Sequence, residues 1–480
     1  MKKAISLFVI IMFIAPSIFG QTKGLIYDKL VKKGNEAYYN VPVGLCEDYP
    51  EETTTKEIMR KDMELLKNSG INLLRISFGW DAIEETKGNY NWLFWDDYVK
   101  MAVEEYGITL VPYVCYMPRW NSTGAQDTLW FWNYPPKEYE PFGDFMTHLV
   151  KRYSKWIKTW ELWNEPDIWV YWRGTSEEFA KFVKIGSKAV KEADPEAKVV
   201  LGGLAHRVEF YRELFRDHDI SPYVDIINCH NYFETWSGYP IENITSYINE
   251  LHDIVQRYGN NQPIWMAEVG YSTWRMEGSK ISADYNAYYD YEHTPEYQAV
   301  QIFKTLTLAV STEKLSAITW YEIKDLPMVE NVIGDNNNRN LGVAYFDHKP
   351  KPGLKALQFF NKLFSKKYKN IGSKVEIEKP LESAVYAEAF ENEDGTMMLV
   401  TWLQSNQFGK RTDDKTGHVK DTRKEKVSFE IPIGFKPKVT IYNELGEGRE
   451  CKMAKYEDGE LSLDDFPVEG GKIYIFSITK

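Results

Sequence analysis

Two strand-like runs of this chain end in a glutamate. Trp160-Glu161-Leu162-Trp163-Asn164-Glu165-Pro166 carries an Asn-Glu pair out of one apolar stretch, and Pro263-Ile264-Trp265-Met266-Ala267-Glu268 ends another in the same way. Two carboxyl groups held a fixed distance apart suit hydrolysis of a glycosidic bond. One, protonated, releases the leaving-group oxygen, and the other, ionised, attacks the sugar or activates water.

Those glutamates need elements that bring them together. Short β-branched runs at 41–46, 71–77, 108–115, 157–162, 198–202, 224–229, 263–268 and 316–320 alternate with amphipathic stretches near 55–69, 92–106, 138–155, 176–193, 207–218, 242–258, 295–311 and 352–363. Thr175-Ser176-Glu177-Glu178 and Thr294-Pro295-Glu296 carry helix-start chemistry, and Gly70 and Gly107 fit helix stops. Eight strands each followed by a helix predict a (β/α)8 TIM barrel, whose strand ends face one mouth. A doubly wound open sheet also alternates βα, but no Gly-rich turn follows the first strand here.

After about residue 365 the pattern changes to short alternating runs separated by polar turns such as Asn392-Glu393-Asp394-Gly395, which predict a C-terminal all-β sandwich over 366–480. Its few exposed-looking aromatics, such as Trp402 and Phe408, form no obvious sugar-stacking platform, so a structural cap on the barrel is expected. Residues 404–425 are polar and charge-rich, as in a mobile surface loop. Residues 1–20 have the make-up of a secretory signal peptide: Lys2 and Lys3, an apolar centre from Leu7 to Ile14, and small residues near Ser17 and Gly20. The barrel is then expected over 21–365, in a secreted or periplasmic protein with no membrane span in its mature chain.

Removal of that segment takes the formal charge from −12 to −14. An acidic chain without a basic run excludes nucleic acid as an expected partner. Cys46, Cys115, Cys229 and Cys451 lack metal-ligand spacing, and three sit in separate strand cores, so buried free thiols are expected. Aromatic residues make up 15% of the chain, and they crowd the segments after the strands. Trp120, Trp130, Trp132 and Tyr134 follow the third strand, Trp169, Tyr171 and Trp172 the fourth, and Tyr232, Phe233 and Trp236 the sixth. Tyr271, Trp274, Tyr285, Tyr288, Tyr289 and Tyr291 follow the seventh. Aromatic faces stack on the C–H faces of sugar rings, so these loops, Trp120 included, are candidate substrate contacts. Arg119, Arg173 and Arg275 among them would suit an acidic sugar if one faced the mouth.

Asn164-Glu165-Pro166 after the fourth strand and a glutamate ending the seventh resemble clan A of the glycoside hydrolases, the retaining barrel enzymes. The likeness runs from 41 to 363, including an Arg-Trp-Glu-Lys-Gly order within Ile71–Trp92 and a Lys-Pro-Gly helix start within Leu341–Leu357. The barrel-plus-sandwich layout resembles families 39, 5, 30 and 51. The resemblance implies Glu165 as general acid/base, Glu268 as nucleophile and Asn164 as partner of the sugar 2-hydroxyl. It implies Arg75 beside the nucleophile, Tyr232 donating to Glu268, His230 near the acid/base or the sugar, and Trp320 as the aromatic floor of the cleaved-sugar subsite. It implies no cofactor and no metal, an oligosaccharide or polysaccharide substrate, and retention with carboxyls about 5–5.5 Å apart. Side-chain alternation reads Glu161 as a structural ion-pair partner, and Glu322 is a possible substrate contact. An exo-acting β-glycosidase is the leading expectation, with an endo-acting β-glycanase as its enzymatic rival. A non-catalytic glycan-binding protein on the same scaffold is the rival of another class.

Overall fold

The computed structural model describes residues 30–33, 36–48, 54–275, 291–327, 336–405 and 420–480. The expectations for 1–20, for Tyr285, Tyr288, Tyr289 and Phe408, and for most of the 404–425 loop lie outside the described residues.

Eight parallel strands form the ring: Val43–Glu47, Leu73–Gly79, Thr109–Cys115, Thr159–Asn164, Lys198–Gly203, Ile227–Asn231, Ile264–Val269 and Leu315–Trp320. Each pairs with its sequence neighbours, and the eighth pairs with the first. Strands five and six meet through the parallel bridges Val200–Ile226 and Leu204–Cys229, which close the ring. Alternation divides the strand side chains between two layers. Leu73, Val111, Val200, Ile226, Trp265, Ala267 and Ala317 form a small cluster inside the ring. Ile76, Phe78, Leu162, Ile227 and Ile318 belong to the large core shared with the helices.

The helices start where side-chain oxygens meet their free N–H groups. Thr175 and Glu178 form a reciprocal capping box on Ser176–Ala193, and Thr294 caps Pro295–Ser311 just ahead of its first-turn proline. Gly70 (φ 69°) and Gly107 (φ 71°) occupy the left-handed conformation that ends a helix. The stretch expected as one helix over 92–106 runs as an α-helix over Leu93–Val99 and then as a wider, i→i+5 bonded turn over Lys100–Glu105. The four cysteines are buried and free. Among the described residues no helix is long and apolar enough to cross a membrane.

Beyond the barrel lie two antiparallel sheets. One runs Leu30–Lys33, Glu36–Tyr39, Tyr368–Asn370, Val385–Asn392, Met397–Leu403, Ile473–Thr479, Lys438–Tyr442 and Gly448–Glu450 in spatial order. The other runs Glu376–Glu378, Lys424–Pro432, Glu460–Glu469 and Ala454–Glu457. Phe429, Leu463, Val468 and Phe476 are among the side chains that fill the core between them. The strands Leu30–Lys33 and Glu36–Tyr39, ahead of the first barrel strand, pair antiparallel, and the second joins the first sheet by pairing Tyr39 with Tyr368. The partner strand lies more than three hundred residues away, so local periodicity held no sign of it. Trp402, read as exposed, is fully buried.

Candidate active site

The ends of barrel strands one, two, four, six and seven converge at one mouth, where a cleft of about 2400 Å³ opens. Glu165 and Glu268 both stand on its wall, each more than nine-tenths buried. Carboxylate oxygens of the two and a ring nitrogen of His230 all lie within 4.8 Å of one another.

The fourth strand explains how one segment delivers two site residues in succession. Trp163 has φ 80° and Glu165 φ 41°, both in the left-handed region. The break at Trp163 interrupts the alternation, so its ring packs outward beside Leu162, edge-on to Phe182 and Trp172 at 5.3 and 5.5 Å. Asn164 and Glu165 are thereby turned into the mouth. A non-glycine residue in this region costs on the order of 1–3 kcal/mol and persists only where its surroundings hold it. Here Asp167 helps, accepting from the backbone N–H groups of Ala205, His206 and Arg207 at 2.8–2.9 Å and tying the loop to the next strand end.

Arg75 organises the floor. Its Nη1 donates to Glu268 Oε2 at 2.8 Å, its Nη2 to Asn164 Oδ1 at 2.8 Å, and its Nε and Nη2 grip Glu161 at 2.8 and 2.9 Å. Its guanidinium lies 4.2 Å over the Tyr113 ring. Glu161 also accepts from Gly203 N–H and the Asn228 amide, so it is the structural ion-pair partner that alternation predicts. The Tyr232 hydroxyl donates to Glu268 Oε1. His230 Nδ1 lies 2.9 Å from Glu165 Oε1 and 3.6 Å from Glu268 Oε2, and its ring rests against Gly203, where any side chain would overlap it.

Burial and charge separate the two carboxyls. Desolvation, reinforced by Asp167, pushes Glu165 up to about 8, so it is protonated at neutral pH. Glu268 is also raised by burial, but the Arg75 guanidinium bonded to it opposes the shift. Desolvation lowers the pKa of His230 and keeps its ring neutral. A neutral imidazole can accept from protonated Glu165 or donate to its carboxylate, depending on the tautomer.

Of the residues singled out in the sequence, Glu165, Glu268, Asn164, Arg75, His230 and Tyr232 come together. Eight of the described aromatic residues do not: Tyr134, Trp169, Trp172, Tyr271, Trp274 and Tyr291, like Trp320 and Trp120, stand off the cleft wall. Trp320 is fully buried and belongs to the helix-side core with Ile318, because Ala317 and Thr319 take the inward phase; the next inward position, Tyr321, lines the cleft instead. Trp120 turns away from the cleft, packs edge-on against Trp80 at 6.1 Å and donates its indole N–H to the Glu84 carbonyl. Glu322 is fully buried behind the wall, and Glu47 and Lys324 are among the groups that act on it electrostatically. Trp130, Trp132, Tyr171, Phe233 and Trp236 do line the cleft, joined by Tyr116 and Tyr239. Arg119 also lines it, but its guanidinium is occupied by the carbonyls of Ala125, Asp127 and Thr128.

Sequence reading missed Asp48, one residue past the first barrel strand. It lies on the cleft wall and accepts from the hydroxyls of Tyr113 and of Tyr321, the latter at 3.3 Å. Its signal was its place at a strand end, the same signal that marked Glu165 and Glu268.

Comparison with known proteins agrees with this architecture. A β-xylosidase of Caldicellulosiruptor saccharolyticus is 26% identical over 286 residues, 56% of this chain and 54% of the relative, so the match spans about half of that protein's length. Among solved structures, a family 39 glycoside hydrolase from Bacteroides cellulosilyticus WH2 superposes with a TM-score of 0.63 at 16% identity, covering 92% of this chain and 81% of its own. A monomeric β-xylosidase from Caulobacter crescentus CB15 gives 0.60 at 14% identity, covering 91% and 96%. At those identities the structures speak for the fold, a barrel with an appended β domain. The profile of Glycosyl hydrolases family 39 matches residues 26–375, nearly three-quarters of the chain, and the protein belongs to that family of glycoside hydrolases.

Proposed function

We propose that the protein is a retaining β-glycosidase in which Glu165 is the general acid/base and Glu268 the nucleophile. The observation that carries this reading is the close approach of the two carboxyls, with oxygens within 4.8 Å. That spacing suits direct attack, whereas an inverting enzyme needs about 6.5–9.5 Å to admit a water. In the first step Glu268 attacks the anomeric carbon as Glu165 donates its proton to the departing oxygen. Bonding to the sugar neutralises Glu268, which removes a negative charge from beside Glu165 and lets it act as base toward the incoming water. That water displaces Glu268 and restores both groups. Asn164, whose Oδ1 is held by Arg75, has its amide nitrogen left for the sugar 2-hydroxyl.

The β-xylosidase relatives support a β-linked xylose-type substrate and exo-action on oligosaccharide ends. Cleft size favours a second reading. About 2400 Å³ exceeds the roughly 300–1,000 Å³ of an ordinary small-ligand pocket and has room for several rings, as endo-action requires. Export of the chain, with removal of residues 1–20, belongs to the same proposal.

The test is azide rescue on an activated aryl β-glycoside. Glu268→Gly with azide should yield the α-glycosyl azide and Glu165→Ala the β-glycosyl azide, while the wild-type enzyme releases product with retained configuration by proton NMR. Inverted product, or full turnover by Glu268→Gly without azide, refutes the assignment. Release of single sugars rather than an oligosaccharide ladder from xylan fragments decides for exo-action. Amino-terminal sequencing of protein recovered outside the producing cells tests export.

A further inference from the structure

The helix Pro295–Ser311 is buried on nearly every side, because the β domain covers the flank that the barrel leaves open. Polar groups are sealed at that junction. Gln301 and Lys304 come from the helix, Glu234 and Glu242 from the segment after barrel strand six, and Trp402 and Ser405 from the β domain, and all six are buried. The Trp402 indole donates to Glu242 Oε1 at 2.9 Å. The Gln301 amide donates to Glu234 Oε2 at 2.5 Å and reaches Ser405 Oγ at 3.4 Å. Lys304 Nζ donates to the Leu403 carbonyl at 3.3 Å.

Two carboxyls and an ammonium are costly to desolvate, and well-packed apolar side chains of like volume would seal the same junction as well or better. What the polar groups add is direction. Glu234 Oε1 accepts from the Ile241 N–H at 3.2 Å, and its own N–H donates to the Tyr239 carbonyl at 3.1 Å, so one residue pins the loop 232–243 across its width. Glu234 has φ 63°, a conformation its surroundings must hold. At one end of that loop stands Tyr232, which donates to Glu268, and along it Trp236 and Tyr239 form cleft wall.

We propose that the β domain is a positioning element of the active site. The Trp402–Glu242 and Gln301–Glu234 bonds hold loop 232–243 in the geometry that brings Tyr232 to the nucleophile. The proposal rests on the role assigned to Glu268 above. Trp402, Glu242 and Glu234 are positioning residues that act through Tyr232.

A double-mutant cycle in the full chain tests it. Trp402→Phe removes the N–H donor and keeps a ring to stack on Tyr386, now 6.0 Å away. It should lower kcat on an aryl β-glycoside about tenfold with KM within about twofold, yet change kcat less than about twofold in a Tyr232→Phe background. Glu242→Gln keeps an oxygen acceptor for the indole and should stay near wild type, while Glu242→Leu should match Trp402→Phe and carries the same test if that variant does not fold. Equal losses in both backgrounds, or a lowered melting point with kcat intact, overturn the proposal. Turnover retained by Glu268→Gln would overturn the catalytic assignment and this proposal with it. Turnover lost in Glu268→Gln together with additive effects would overturn this proposal alone.

Discussion

Arg75 Nη1 sits 2.8 Å from Glu268 Oε2, inside a barrel end where both side chains are almost wholly removed from water. The rest of the guanidinium is committed to Glu161, itself fully buried, and to Asn164, so the cation cannot swing away. This arrangement fixes one rotamer of Glu268 and favours its ionised form beside a second carboxyl that burial keeps protonated.

Arg75→Lys therefore should not be a conservative change. A lysine ammonium cannot engage two carboxylates and Asn164 in one plane, and Glu268 should lose its fixed orientation. We expect kcat to fall by about 10²-fold in steady-state assays, since misplacement near 1 Å has that effect. Arg75→Met should in addition lower stability by about 3–5 kcal/mol in urea unfolding, because Glu161 is left buried and unpaired.

The pH dependence follows from Glu165. Its pKa is raised from about 4.5 to about 8 in the folded chain, and in the proposed mechanism the protonated form is the acid. Profiles of kcat/KM against pH should show an alkaline limb near 8, and Glu165→Gln should abolish that limb along with most activity on substrates with poor leaving groups. The sign for stability runs the same way. Below about 4.5 the proton is held in both folded and unfolded chains; between about 4.5 and 8 only the folded chain keeps it. The Glu165 contribution to stability should thus decline as pH rises across that window, and Glu165→Gln should flatten the melting temperature there.

Gly203→Ala should disturb His230. The added methyl would overlap the imidazole and crowd the Asn228 amide, so the ring must leave its place beside Glu165. Overpacking of this kind costs about 1–3 kcal/mol in chemical unfolding. A loss of activity at 25 °C, where the variant is still folded, would separate the effect on the site from the effect on stability.

Lys324 joins Glu47 and Asp62 at 3.1 and 3.0 Å in a buried cluster at the cleft wall, which Lys324 and Glu47 help line. Lys324→Met should destabilise the protein by about 3–5 kcal/mol in urea titration, because buried carboxyls lose their cation. Paired Lys324→Met and Asp62→Leu changes should recover part of that loss; a purely additive result would show that the two do not interact.

By itself the sequence determined the barrel and picked out six residues that the fold brings together at its mouth. Each barrel strand and helix is written in a few local turns of chain, as β-branched runs, caps and glycine stops, and strand ends in a barrel must converge. Glu165, Glu268, Asn164, Arg75, His230 and Tyr232 were legible because each sits at or near such an end. Tertiary structure alone decided the facing of side chains where alternation is broken or extended. The left-handed turn at Trp163 put Asn164 and Glu165 into the mouth, and continued alternation past Thr319 gave the cleft Tyr321 rather than Trp320. Asp48 entered the site through the hydroxyls of Tyr113 and Tyr321, and Trp120 turned toward Trp80. The pairing of Glu36–Tyr39 with Tyr368–Asn370 and the seal between Trp402 and Glu242 join segments distant in sequence. Contacts of that range depend on how whole elements pack, which local periodicity does not encode.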